Sequence, residues 1–115
     1  MNLQSYLEKY INSAHTHGAG TDNAENYRKV NKAYKTMMKN FTVLIKTEYG
    51  KDKLKDLLNS PDEYVSSWTA TLLVFDYPEE CKEILRNISK KRGAWAGSVR
   101  IFLEELEAGN IEKMY

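Results

Sequence analysis

The stretch Ser60-Pro61-Asp62-Glu63-Tyr64-Val65-Ser66-Ser67-Trp68-Thr69-Ala70-Thr71-Leu72-Leu73 contains a helix start followed by an apolar helix face. Ser60 suits a cap, Pro61 suits the first helical position, and the carboxylates of Asp62 and Glu63 stand where the partial positive charge of a helix N-terminus favours them. Val65, Trp68, Leu72 and Leu73 then recur at helical spacing, which predicts one buried stripe and a polar opposite face.

Toward the C-terminus the same logic continues. Phe75-Asp76-Tyr77-Pro78 interrupts the pattern, and Pro78 followed by Glu79 and Glu80 opens another helix whose stripe is Cys81, Ile84, Leu85 and Ile88. Lys90, Lys91 and Arg92 close it with cations at the negative end of the dipole. Beyond Gly93 a last helix carries Trp95, Ala96, Val99, Phe102, Leu103 and Leu106 and stops at Ala108-Gly109, leaving residues 110–115 as a loose tail.

Toward the N-terminus, Leu3, Tyr6, Leu7, Tyr10, Ile11 and Ala14 predict a first helix over about residues 3–14 or a little beyond, broken over residues 15–23, where Gly18 and Gly20 gather with capping residues. A long second helix should present Tyr27, Val30, Tyr34, Met37 or Met38, Phe41, Leu44 and Ile45 to the core and end near Tyr49-Gly50. Leu54, Leu57 and Leu58 form a short third helix closed by Asn59. The only β-rich run, residues 71–75, continues a helical period, so the expected fold is all-α: about six helices in one domain over residues 1–115, with antiparallel pairs stacked as a short HEAT/armadillo-like superhelix.

The 115 residues are 42% hydrophobic and 29% charged, enough for one core, and no apolar run approaches the roughly 18 residues that span a bilayer. A lone Cys81, which permits no internal disulfide, and the lack of a visible secretory pattern at the N-terminus lead to the expectation of a cytoplasmic protein. The net charge of +1 supplies no global field toward nucleic acid or membrane, but the charges are segregated. Cations dominate residues 28–55, only acids occur over 56–80, cations return over 82–100, and the end is acidic again. Neighbouring helices that compensate one another account for such blocks, and this reading outweighs the sharper one, in which an acidic ridge is a docking face.

Few residues invite chemistry. His15 and His17 sit two apart but lack a firm third ligand beside Asp22, so no metal is expected. Cys81 lies at a helix start, yet Glu79, Glu80 and Glu83 oppose a thiolate and its register makes it a small buried hydrophobe. Adjacent carboxylates such as Glu104-Glu105 diverge by about 100° on a helix and share no site. No phosphate loop, serine elbow or cysteine quartet occurs, so neither enzymatic activity nor a cofactor is expected. Asn26 and Asn31, at the edge of the long helix's apolar face, read as structural amides needing hydrogen-bond partners if buried.

Asn26-Tyr27 with Asn31-Lys32 and Tyr34, then Leu57-Leu58-Asn59-Ser60-Pro61, Val65 to Leu73, Pro78-Glu79-Glu80-Cys81 with Leu85, and Gly97 to Leu106 with Gly109 form a wider pattern. Over residues 23–109 it resembles the bacterial helical family catalogued as domain of unknown function number two thousand and nineteen. Ser66 stands where that family usually has a basic residue. The resemblance implies a small α-superhelical protein, and small helical proteins of this sort often look like protective partners of bacterial toxins.

Tyrosine is abundant at interfaces, where its ring is buried and its hydroxyl stays wet. Asp62, Glu63, Tyr64, Asp76, Tyr77, Glu79 and Glu80 are therefore the expected protein-binding residues of a non-enzymatic, immunity-like module that occludes a partner such as a toxin domain. The alternative is nucleic-acid binding through Lys32, Lys35 and Lys39 of the long helix, with Lys90-Lys91-Arg92 beside Trp95 as a weaker candidate.

Overall fold

A four-residue connection folds the two longest helices of the chain against each other. The computed structural model describes residues 2–115, and among them the regular structure is helical: α1 (Leu3–Asp22), α2 (Tyr27–Leu44), α3 (Glu48–Asp56) with a 3-10 turn at Leu57–Asn59, α4 (Glu63–Leu73), α5 (Pro78–Ser89) and α6 (Ala94–Glu107). Tyr10 meets Phe41, His17 meets Tyr34 and Gly20 meets Val30, so position falls along α2 as it rises along α1 and the pair is an antiparallel hairpin. The other side of α1 packs on α4, where the Tyr10 and Thr69 hydroxyls share a buried hydrogen bond of 2.9 Å. α4 also packs on α5, and α5 on α6, so α1 and α4 lie side by side at the centre.

The expected break after Ala14 does not occur, and α1 runs through both glycines to Asp22. A Cβ on Gly18 would stand 2.4 Å from the Tyr64 ring, and one on Gly20 would stand 2.9 Å from a Val30 methyl. Each glycine lowers intrinsic helix stability by about 1 kcal/mol relative to alanine, and here each lets a neighbouring element approach closely. The left-handed residue after the helix is Ala24, with φ 51°.

The long second helix also ends elsewhere. It stops at Leu44, and Thr47 starts α3 by accepting the Gly50 N–H at 2.9 Å. Gly50 is thus inside a first turn and does not serve as a left-handed cap. Along α2, Tyr27 is 75% exposed and lies off the core, while Ala33, Met37, Phe41 and Leu44 are buried. Asn26 caps the helix through the Arg28 N–H and Asn31 is exposed; the buried amide is Asn40, which donates to the Thr36 carbonyl at 2.7 Å.

At α4 the cap is Asp62, which accepts from the N–H groups of Tyr64 at 3.0 Å and Val65 at 3.3 Å. Ser60, expected in that role, instead accepts the Asp62 N–H at 3.1 Å and tightens the turn, and Pro61 precedes the helix. The face expected to be polar and exposed is buried as well: Ser66, Ser67 and Thr69 accompany Val65, Trp68, Ala70, Leu72 and Leu73. Their hydroxyls bond back one turn, Thr69 to Val65 at 2.7 Å, and Ser67 also accepts the Trp95 indole N–H at 2.8 Å. No buried side-chain polar atom among the described residues lacks a partner, so hydrogen bonds offset the desolvation of the polar residues of this central helix.

α5 and α6 begin as expected, with Pro78 in the first turn of one and Gly93 at φ 108° before the other. Residues 110–115, expected to be loose, contain no helix, and the Tyr115 ring lies edge-on to Phe41 at 5.2 Å.

Candidate functional site

The seven expected binding residues do not form one patch. Asp62, Glu63 and Tyr64 stand at the N-terminal end of α4, and Asp76, Tyr77, Glu79 and Glu80 at the turn beyond its other end. At the rise of an α-helix the eleven residues of α4, which begin within the first cluster, are about 16 Å long.

The first cluster surrounds an open cleft of about 300 Å³ that also takes in His15, Lys91 and Arg92. One Asp62 oxygen caps α4 and the other meets His15 Nδ1 at 2.7 Å. Glu63 pairs with Lys91 at 2.6 Å. Tyr64 donates its hydroxyl to Asp22 at 2.6 Å, and the other oxygen of Asp22 accepts the Trp95 N–H at 2.8 Å. The last residue of α1 therefore caps α6 from a distance and orients Tyr64. Gly93 makes this close approach workable, since a Cβ there would stand 2.8 Å from Asp22. Neither the period of α1 nor any local cap pattern signals this tertiary role of Asp22.

The hydrogen bond to Asp22, followed by burial and the nearby carboxylates, pushes the Tyr64 phenol up to about 12. The hydroxyl can donate only while protonated, so its contribution to stability is present below the ordinary value of 10 and is lost as pH rises through about 12. Tyr64→Phe is expected to remove a tyrosinate that otherwise appears only at that upper limit and to flatten alkaline unfolding, as read by tyrosinate absorbance and helical ellipticity. Tyr10 and Tyr115 are also pushed up, by burial, so the substitution should remove one of several late-ionising phenols, and a tyrosinate band unchanged by it would show that Tyr64 is not among them.

At the second cluster, burial alone would raise the Asp76 carboxyl, but hydrogen bonds from Tyr115 and Lys113 outweigh it and hold the group below its ordinary value. Lys113 Nζ donates to Asp76 at 2.9 Å, and Tyr115 donates to its other oxygen. The Lys55 ammonium lies 4.8 Å from the centre of the Tyr77 ring, a cation–π arrangement. Glu79 and Glu80 are exposed, and no described cation lies within ion-pair distance of either.

His17 occupies an environment that its sequence position does not signal. It meets the Trp68, Trp95 and Tyr34 rings at 5.1, 5.8 and 6.0 Å, and its Nδ1 accepts the Trp68 indole N–H at 3.1 Å. Burial lowers its pKa, which keeps it the neutral acceptor this bond requires. The two histidines thus point to different neighbours, and no group of three or more His, Cys, Asp or Glu side chains converges among the described residues.

Cys81 is fully buried, and burial followed by the Glu80 and Asp76 charges pushes its thiol up to about 12. It is expected to resist a thiol reagent at neutral pH in the folded chain and to react fully once unfolded. Rapid reaction under native conditions would overturn this placement. No helix among the described residues is long and apolar enough to cross a membrane. No protein-family model, curated protein or solved structure matches the chain.

Proposed function

We propose that this chain is a non-enzymatic protein-binding module, an immunity-like protein that neutralises a partner such as a bacterial toxin domain by covering it. The observation that carries the reading is that tyrosine and carboxylate line an open cleft together at both ends of α4: Tyr64 with Asp62 and Glu63 in one, and Tyr77 with Asp76 in the other. Exposed acids such as Glu79 and Glu80 accelerate encounter with a basic partner, and tyrosine rings buried on contact supply most of the hold. A short HEAT/armadillo-like superhelix, membership of the helical family it resembles, and a cytoplasmic location consistent with an unpaired buried thiol belong to the same proposal.

The test is capture of the products of neighbouring genes by the intact chain. Asp62 must stay, because its reversal would remove the α4 cap. Glu63→Lys with Glu79→Lys and Glu80→Lys is expected to slow association at least about tenfold and to flatten its salt dependence. Capture with unchanged rate and salt response would remove these acids from the interface.

One observation favours a second reading, nucleic-acid binding. Arg28, Lys32, Lys35 and Lys39 form an exposed row along α2 with no described carboxylate within ion-pair distance, whereas Lys29 is paired with Glu25 at 2.6 Å. Such a row predicts affinity falling with salt at a log–log slope of about −3 to −4. No shift of DNA or RNA at low salt would end this reading.

A further inference from the structure

A cleft of about 590 Å³ opens between the C-terminal end of α2 and the α4–α5 turn, lined by Ile45, Lys46, Lys51, Leu73, Asp76 and Tyr77, and the chain's own Lys113, Met114 and Tyr115 lie in it, so Asp76 is the carboxylate of a cleft that also holds two cations. We propose that this cleft is a docking site for a partner peptide carrying a lysine two residues before a tyrosine, and that residues 113–115 occupy it as an intramolecular stand-in. The proposal rests on the protein-binding reading and gives its Asp76–Tyr77 cluster a ligand chemistry.

The seated segment shows what the cleft recognises. Tyr115 places its ring edge-on to the fully buried Phe41 while its hydroxyl donates to Asp76. Lys113 donates to the second Asp76 oxygen at 2.9 Å, and its ammonium lies 4.6 Å from the centre of the Tyr115 ring. One carboxylate thus reads a hydroxyl and an ammonium at a fixed separation, with an aromatic platform beside it. Nothing in this recognition depends on the segment being part of the same chain.

The way the segment is attached supports displacement. Residues 110–115 contain no helix and leave α6 through Gly109 at φ 80°, with no heavy atom within 4 Å of where its Cβ would be. Tyr115 keeps 37% of its surface exposed and Met114 54%. Even with the segment seated, the remaining space falls in the range of ordinary ligand sites, about 300 to 1,000 Å³. If the segment left with nothing in its place, the Phe41 ring edge and a partly desolvated Asp76 would face water, so a replacement of the same chemistry is favoured. A short tether supplies the segment at roughly millimolar effective concentration, so an incoming peptide must compete with it.

The probe is a fluorescein-labelled peptide Asn-Ile-Glu-Lys-Met-Tyr, which copies residues 110–115, titrated against the 115-residue chain and against the same chain with Lys113→Ala and Tyr115→Ala. The substituted chain should bind at least about tenfold more tightly, because its cleft is no longer occupied in cis. Adding Asp76→Asn to that background should abolish most of the gain. Equal binding by both chains, indifference to Asp76→Asn, or no binding by a substituted chain of unchanged ellipticity would each overturn the proposal. Should the double substitution unfold the chain, excess peptide added to the intact protein must instead move the Tyr115 ring resonances, packed on Phe41, toward those of a free tyrosine, and unaltered resonances overturn the proposal. Capture of a partner through Glu63, Glu79 and Glu80 is read separately, so failure here leaves the broader reading standing and failure there leaves this cleft to its own result.

Discussion

Gly50→Ala is expected to lower stability by at least about 3 kcal/mol, the upper part of the range for overpacking, and to drop the melting temperature by roughly 10 °C or more. The added Cβ would stand 2.0 Å from the Leu44 carbonyl oxygen and 2.6 Å from its carbon. A side chain in the way can rotate, but this obstacle is backbone at the end of α2, so the whole α2–α3 corner must shift. Leu44 and Leu54, buried on either side of that corner, would move with it. Two other glycines provide controls. Gly97 lies inside α6 with only the Arg100 guanidinium at 3.5 Å, so Gly97→Ala should raise stability by about 0.5 to 1 kcal/mol through helix propensity alone. Gly109 has open space but φ 80°, so alanine there should lower stability through backbone strain, by about 1 to 2 kcal/mol. Thermal unfolding followed by ellipticity ranks the three. A Gly50→Ala chain that melts within a few degrees of the parent would refute the tight corner.

The glycines also mark how far reading by local pattern reaches in this chain. Gly93 and Gly109 were legible, because positive φ beside a helix end is a local property and the periodic residues stop there. Gly18, Gly20 and Gly50 looked like the same punctuation, but they are sites of close approach to Tyr64, Val30 and Leu44, partners that only the fold brings near. The apolar stripes of α4, α5 and α6 were read correctly because hydrophobic period is set by burial on one side. The burial of the polar side of α4 is not legible for the complementary reason: a helix buried all round can keep serine and threonine if their hydroxyls bond back one turn, and period does not distinguish these from hydroxyls facing water. At the candidate site, the acids and tyrosines could be picked out as residue types, but not that α4 separates them into two clusters. Asp22 was invisible as a cap, since the helix it serves starts some seventy residues later in the chain.

Phe41→Ala is the other large effect, expected to lower stability by about 3 to 5 kcal/mol, the usual range for deleting a buried aromatic side chain. Phe41 is fully buried in α2 between two tyrosines from opposite ends of the chain, Tyr10 at 6.2 Å and Tyr115 at 5.2 Å. Removing the ring leaves a cavity beside Tyr10, whose hydroxyl is tied to Thr69 and whose ring is therefore poorly placed to move into the gap. Against a total stability of about 5 to 15 kcal/mol for a domain of this kind, the loss is a large fraction of the whole. Phe41→Leu retains much of the volume and should cost less than about 1.5 kcal/mol, so the difference between the two variants isolates the cavity. Both variants remove the aromatic ring against which Tyr115 packs, so the Tyr115 ring resonances should move toward those of a free tyrosine in both, including the one that stays stable. Denaturant unfolding gives the first quantity and the Tyr115 ring resonances the second. A Phe41→Ala cost below about 1 kcal/mol would mean that the core collapses around the gap. Unchanged Tyr115 ring resonances in Phe41→Leu would mean that Asp76 alone holds this residue in place.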